Sequence, residues 1–186
     1  MPRPTSSTPA PGASYELGSL YRVDHDASIH VIEEGLHLSN GMGFSPDNAV
    51  MYLTDSIRHT IYEYDYDLRQ GEISHRRIFA EVPEELGMPD GLTVDRDGCV
   101  WSAHWMGSRI TRYDPSGRVE RTVECPFRKP TSVIFGGPGL TELYITTAAE
   151  KEEALAAAGS EAEGEALRSG GFVYRYQANV AGRAEP

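Results

Sequence analysis

The chain has 186 residues, of which 39% are apolar and 24% charged, and it carries a formal net charge of −11. That balance reads as globular, and its negative sign argues against a general binder of nucleic-acid backbones. No apolar run approaches the ~20 residues that a membrane helix needs. Neither nucleic acid nor membrane is therefore an expected partner. Ten tyrosines and nineteen glycines suit an all-β protein with many turns.

Taken in chain order, Met1 to Ser14 is rich in Pro, Ser and Thr without a hydrophobic core. It reads as a disordered lead rather than a secretion signal, which makes the cytoplasm the expected location. Short strands separated by turn signals follow, over a domain expected at residues 15–182. Leu20-Tyr21-Arg22-Val23 and Ile29-His30-Val31-Ile32 read as one hairpin about a polar turn. Val50–Thr54, Thr60–Tyr64 and Ile73–Phe79 are the next strands, and Thr60–Tyr64 alternates as a half-buried strand should. Residues 149–169 break the pattern with strong helix formers and scattered glycines, predicting a surface insertion with one or two helical turns. Cys99 and Cys125 have no metal-like spacing and are expected to be buried thiols in a reducing compartment.

The chain repeats itself. Asn40-Gly41-Met42-Gly43-Phe44-Ser45-Pro46-Asp47-Asn48 lies against Asp90-Gly91-Leu92-Thr93-Val94-Asp95-Arg96-Asp97-Gly98, and a looser third copy begins at Pro130-Thr131-Ser132. The offsets are 50 residues from Asn40 to Asp90 and 41 from Asp90 to Thr131. Such periods match one four-stranded propeller blade. The expected fold is thus all-β, a partial β-propeller of about three and a half blades of four-stranded antiparallel sheet. An isolated arc of blades leaves two apolar faces open. A second copy, or a missing N-terminal half of the propeller, is the expected way to cover them.

In a propeller the first strand of each blade lines the central channel, so Asn40 and Asp90 should converge at one mouth. A carboxylate and an amide carbonyl are the oxygen ligands a hard divalent cation wants, and Gly41 and Gly91 would let the backbone turn sharply beside it. The same dipeptides are also common hairpin turns, so both readings stand on the residues alone. His104 reads as packed or solvated. Ser56 and Ser132 lack the Gly-x-Ser-x-Gly setting of a nucleophile. Asp55 and Asp95 read as acceptors for turn or strand-end amides.

Ser39 to Asp47 with Tyr52-Leu53-Thr54-Asp55-Ser56, then Met88 to Asp95 with Val100-Trp101, then Lys129 to Gly137, form three ordered stretches. Together they resemble the senescence-marker-protein/gluconolactonase/regucalcin family. The resemblance implies the C-terminal half to two-thirds of a six-bladed propeller. It implies hydrolysis of sugar lactones or related cyclic esters. It also implies one divalent cation, calcium or zinc before magnesium or manganese, with Asn40 and Asp90 as metal ligands and Asp90 as the catalytic base. The family's remaining ligand, a glutamate in a Gly-Glu-Gly-Pro-like stretch, and its substrate-gripping Arg/Asn segment have no counterpart here. The activity is therefore expected to be incomplete in a single chain, with a truncated remnant or a small-ligand or calcium-binding module as the alternative.

Overall fold

The computed structural model describes residues 18–150, 154 and 156–183. The lead expected at residues 1–14 and part of the acidic insertion lie outside that range. Among the described residues thirteen strands run in order: β1 (Gly18–Val23), β2 (Ile29–Leu36), β3 (Ser39–Phe44), β4 (Val50–Asp55), β5 (Thr60–Asp67), β6 (Glu72–Glu81), β7 (Met88–Val94), β8 (Val100–Trp105), β9 (Arg109–Tyr113), β10 (Val119–Glu124), β11 (Pro130–Gly136), β12 (Glu142–Thr147) and β13 (Val173–Gln177). They pair only with antiparallel neighbours, giving sheets β1-β2, β3-β4-β5-β6, β7-β8-β9-β10 and β11-β12-β13. The architecture is a partial β-propeller, as the repeat predicts. The third repeat, however, forms a blade of three strands rather than four among the described residues.

Three apolar cores lie between successive sheets. Leu36 from β2 packs with Met51, Leu53, Tyr62 and Tyr64 of the second sheet. Tyr52 and Ile61 pack with Leu92, Val94, Val100 and Tyr113 of the third. Trp101, Ala103 and Ile110 pack with Val133, Phe135, Leu143 and Ile145 of the fourth. Alternation along β4 and β8 sends successive side chains to opposite faces, so each central sheet feeds two cores. Full burial of each such Leu or Ile stabilises the fold by roughly 1.5–3 kcal/mol. Among the described residues the outer faces have no such neighbour: Tyr21, Val23, Ile29 and Val31 at one end and Ile134, Phe172 and Val173 at the other are all more than half exposed.

The innermost strands approach one another closely. A Cβ on Gly41 would lie 2.4 Å from Leu92 N and 2.6 Å from Asp90 O, and one on Gly91 would lie 2.7 Å from Ser132 Cα. Glycine is thus required where β3, β7 and β11 converge on the axis. Neither Gly41 nor Gly91 has a positive φ. This corrects the expectation that these glycines make a sharp turn: they sit inside strands and are selected by backbone proximity.

Asp95 pins the β7–β8 connection. Its Oδ1 accepts from Asp97 N and Cys99 N at 2.9 and 3.0 Å, and its Oδ2 accepts from Trp101 Nε1 and Arg112 Nε at 2.8 Å each. Asp55 plays the anticipated strand-end role, accepting from His37 N and Leu38 N at 2.8 and 3.0 Å. Both cysteines are free, Cys99 buried and Cys125 only partly so. The described part of the insertion includes the helix α1 (Glu161–Arg168), whose N-cap Ser160 accepts from Glu163 N at 3.2 Å.

After β13 the chain turns back beneath the inner strands. Ala181 O accepts from Arg96 N, Gly182 N donates to Leu140 O, and Arg183 Nη1 donates to Phe44 O at 3.0 Å. One short segment thereby touches all three larger sheets.

Candidate functional site

Three inner strands share one irregularity. In β3, Ser39 faces Asp55 and Met42 faces Leu53; in β7, Pro89 faces His104 and Leu92 faces Ser102; in β11, Pro130 faces Thr147 and Ser132 faces Thr146. Each inner strand therefore holds one extra residue at the same place, at Asn40-Gly41, Asp90-Gly91 and Thr131. A β-bulge bends the strand and re-aims a side chain. The bulges lie within the strands, which removes the hairpin-turn reading of Asn40-Gly41 and Asp90-Gly91.

Asn40 and Asp90 open into one cavity of about 320 Å³, lined also by Leu38, Ser56, Met88 and Trp105. Asn40 is exposed and Asp90 partly buried. Asn40 Nδ2 donates to Ser56 Oγ at 3.3 Å, which orients the amide. Ser56 is fixed in turn, its N–H donating to Leu38 O at 3.0 Å while the Asp55 carboxylate holds the neighbouring Leu38 N–H. Burial pushes the Asp90 carboxyl up to about 6, although the Asn40 amide and the Gly91 N–H both favour its ionised form. A carboxylate whose desolvation outweighs its hydrogen bonds is poised to take up a proton or a cation.

His104 is not part of this cavity. It is 1% exposed, with Nδ1–H donating to Leu86 O at 3.0 Å and Nε2 lying 3.4 Å from the Tyr113 hydroxyl. Burial holds its imidazole down at about 4, so it packs as a neutral side chain opposite Pro89. Trp105, the next residue of β8, points the other way into the cavity. Leu38, Ser56 and Met88 were not read as site residues from the sequence. Their only signal is position: each lies within two residues of Asn40, Asp90 or the β4 end that faces Asn40.

Among the described residues no three His, Cys, Asp or Glu side chains come together as a metal cluster. Asn40 and Asp90, which share the cavity, still fit an oxygen-seeking divalent cation. Both offer hard oxygen donors, and a bound cation would offset the desolvated Asp90 charge.

Antiparallel blades around an axis, with a cavity at the entry of their innermost strands, define the class: a partial β-propeller with a cavity beside its inner strands. Residues 4–149 match the family model of the SMP-30/Gluconolactonase/LRE-like region. The chain belongs to that family. It is 40% identical over 168 residues to pentonolactonase XacC of Haloferax volcanii, covering 90% of this chain and 57% of the relative. It is 37% identical over 170 residues to 6-deoxy-6-sulfogluconolactonase of Pseudomonas putida, covering 91% and 56%. Among solved structures, a calcium-binding regucalcin from Agrobacterium tumefaciens superposes with a TM-score of 0.81 at 26% identity, covering 92% of this chain and 56% of that one. The chain thus spans little more than half the length of these relatives.

Proposed function

We propose that this chain contributes Asn40 and Asp90 to a divalent-metal-dependent hydrolase of sugar lactones or related cyclic esters. The observation that carries the reading is the shared bulge, which brings an amide and a desolvated carboxylate from equivalent positions of adjacent blades into one cavity. The names of the two lactonase relatives support the substrate class, and the calcium-binding regucalcin supports the cation. The family resemblance puts calcium or zinc first, with magnesium or manganese next; of these, the all-oxygen pair suits calcium, magnesium and manganese better than zinc.

When bound, the cation would polarise the ester carbonyl and supply a counter-charge for the site. Asp90 accepts the proton of the attacking water at a carboxylate oxygen. As the new C–O bond forms and the ring C–O bond breaks, that proton passes to the departing ring oxygen, leaving an open hydroxy acid. Ser56 holds Asn40 by its Nδ2, which leaves the amide carbonyl oxygen as the group that would serve the cation. Leu38, Met88 and Trp105 keep that side of the cavity dry and strengthen its electrostatics.

In this proposal the propeller is completed by further blades, either from a second copy of the chain or from an N-terminal half of the same propeller, in the cytoplasm. A second reading is a calcium- or small-ligand-binding module without turnover, favoured by the single pair of oxygen ligands in the cavity. Hydrolysis of glucono-1,5-lactone, followed by acid release with calcium, zinc or manganese, separates the two. Metal-dependent turnover above the spontaneous rate, abolished in Asp90→Asn, supports the hydrolase. A metal-induced rise in Tm without turnover supports the module. Neither response sinks both.

A further inference from the structure

The cavity is chemically two-sided. Asn40, Ser56 and Asp90 supply its polar groups, while Leu38, Met88 and Trp105 supply an apolar wall. Nothing in the hydrolytic steps requires an aromatic ring there, and Trp105 is held with more care than a rim side chain needs.

Its position is fixed first by register. Trp105 ends β8 directly opposite Met88, two residues before Asp90 on the neighbouring strand. It is fixed next by glycines that admit close backbone packing: a Cβ on Gly87 would lie 2.4 Å from Trp105 O, and one on Gly107 would lie 2.1 Å from Leu86 O. The following turn is strained, with Met106 at φ 63° and Ser108 at φ 52°. Left-handed conformations at such residues persist only where their surroundings hold them, and they gather at functional sites. Here Ser108 N donates to Arg128 O at 3.3 Å, and Cys125 N donates to Ser108 O at 2.8 Å. Finally, Lys129 Nζ lies 5.2 Å from the Trp105 ring centroid and pairs at 2.5 Å with Glu150. The Lys129 and Glu150 side chains are only 13% and 5% exposed, so the ammonium is a buried brace for the ring.

We propose that Trp105 is the platform on which the substrate ring stacks, so that the cavity selects cyclic polyhydroxy esters over plain aliphatic lactones. The inference rests on the lactone-hydrolase reading of the cavity and adds the determinant of substrate class. A saturated polyhydroxy ring has a face of C–H groups that packs on an indole and an edge of hydroxyls. Laid on Trp105, such a ring turns that edge toward the Asn40 amide, the Ser56 hydroxyl and the Asp90 carboxylate. An aliphatic lactone keeps the stacking but leaves those polar groups without partners, a mismatch that discriminates strongly.

The test uses D-glucono-1,5-lactam, a ring analogue that is not hydrolysed, on the whole chain. There are two tryptophans, and Trp101 is fully buried, so a ligand-induced fluorescence change reports on Trp105. Saturable quenching is expected in the wild type. By calorimetry, Trp105→Ala should weaken lactam affinity at least roughly tenfold and Trp105→Phe by only about threefold, since Phe keeps an aromatic face. δ-Valerolactam, the same ring without hydroxyls, should bind at least roughly tenfold more weakly than the gluconolactam. Equal affinity in wild type and Trp105→Ala, equal affinity for the two lactams, or no lactam binding at all would each overturn the platform. Trp105-dependent lactam binding in a chain that hydrolyses no lactone supports the platform and removes only the catalytic reading. Lactone turnover with Trp105-independent lactam binding does the reverse.

Discussion

Replacing Asp95 by Asn tests whether the β7–β8 connection is held by charge or merely by shape. The carboxylate is fully buried and serves two pairs of donors, Asp97 N and Cys99 N on one oxygen, Trp101 Nε1 and Arg112 Nε on the other. Asparagine has one acceptor oxygen, so whichever pair it serves, its NH2 faces the other. Two buried donors are then left without acceptors, at about 1–3 kcal/mol each. Arg112 also loses a charged partner at 2.8 Å but keeps Glu120 at 2.9 Å and Asp97 at 3.4 Å, which softens the loss. The expected destabilisation is about 3 kcal/mol, the lower part of the range for breaking a buried ion pair. Against a total stability on the order of 5–15 kcal/mol this is a large fraction. Equilibrium urea unfolding at pH 7 measures it, and a double-mutant cycle with Arg112→Gln isolates the pair. A loss under about 1 kcal/mol, or strict additivity in the cycle, would refute the reasoning.

Two further outcomes follow from Asp90, His104 and the open faces. The raised Asp90 carboxyl binds its proton more tightly folded than unfolded, so its contribution to stability is complete below pH 3.8 and lost as pH rises through about 6. In metal-free protein Asp90→Asn should therefore gain about 1–2 kcal/mol at pH 7, after discounting for partial exposure, and nothing near pH 4. His104 acts in the opposite sense: its depressed pKa means stability that is present above 6.5 and lost as pH falls toward about 4. Urea titrations across that window should show Asp90→Asn losing stability on acidification more steeply than the wild type, because the compensating group is gone; parallel profiles would contradict the Asp90 assignment, and an Asp90→Asn profile that does not fall between pH 6.5 and about 4 would contradict that of His104. The exposed apolar residues at both ends of the arc, such as Ile29 at 66% and Phe172 at 60%, should drive copies together edge to edge. Light scattering should then report a dimer that Phe172→Lys weakens, and a compact monomer at micromolar concentration would contradict it.

The repeat made the blades legible because inner strands that crowd an axis demand small residues at one recurring position. Gly41 and Gly91 mark that position, and the polar residue before each marks the bulge. What the bulge does could not be read, since one extra residue in a ladder leaves no compositional trace. The cavity walls were hidden for a similar reason. Leu38 and Met88 reach the cavity two residues before Asn40 and Asp90 on the same face, and Ser56 reaches it from the end of β4 across the ladder, none of them through a local motif. His104 and Trp105 show the limit most plainly: they are adjacent in sequence, yet strand alternation buries one as a neutral core side chain and turns the other into the cavity.

Blades ordinarily interact with their neighbours alone, so an arc of them behaves as a one-dimensional chain that can fray from either end. The return segment ending at Arg183 departs from that pattern, because Arg183 reaches Phe44, 139 positions back along the chain. Such a contact couples the β3 sheet to the last one without passing through the sheet between them. It makes loss of the first of these sheets felt at the third, and so turns sequential fraying into a single cooperative transition. Because Arg183 follows all thirteen described strands, this coupling forms only after each of them has been synthesised.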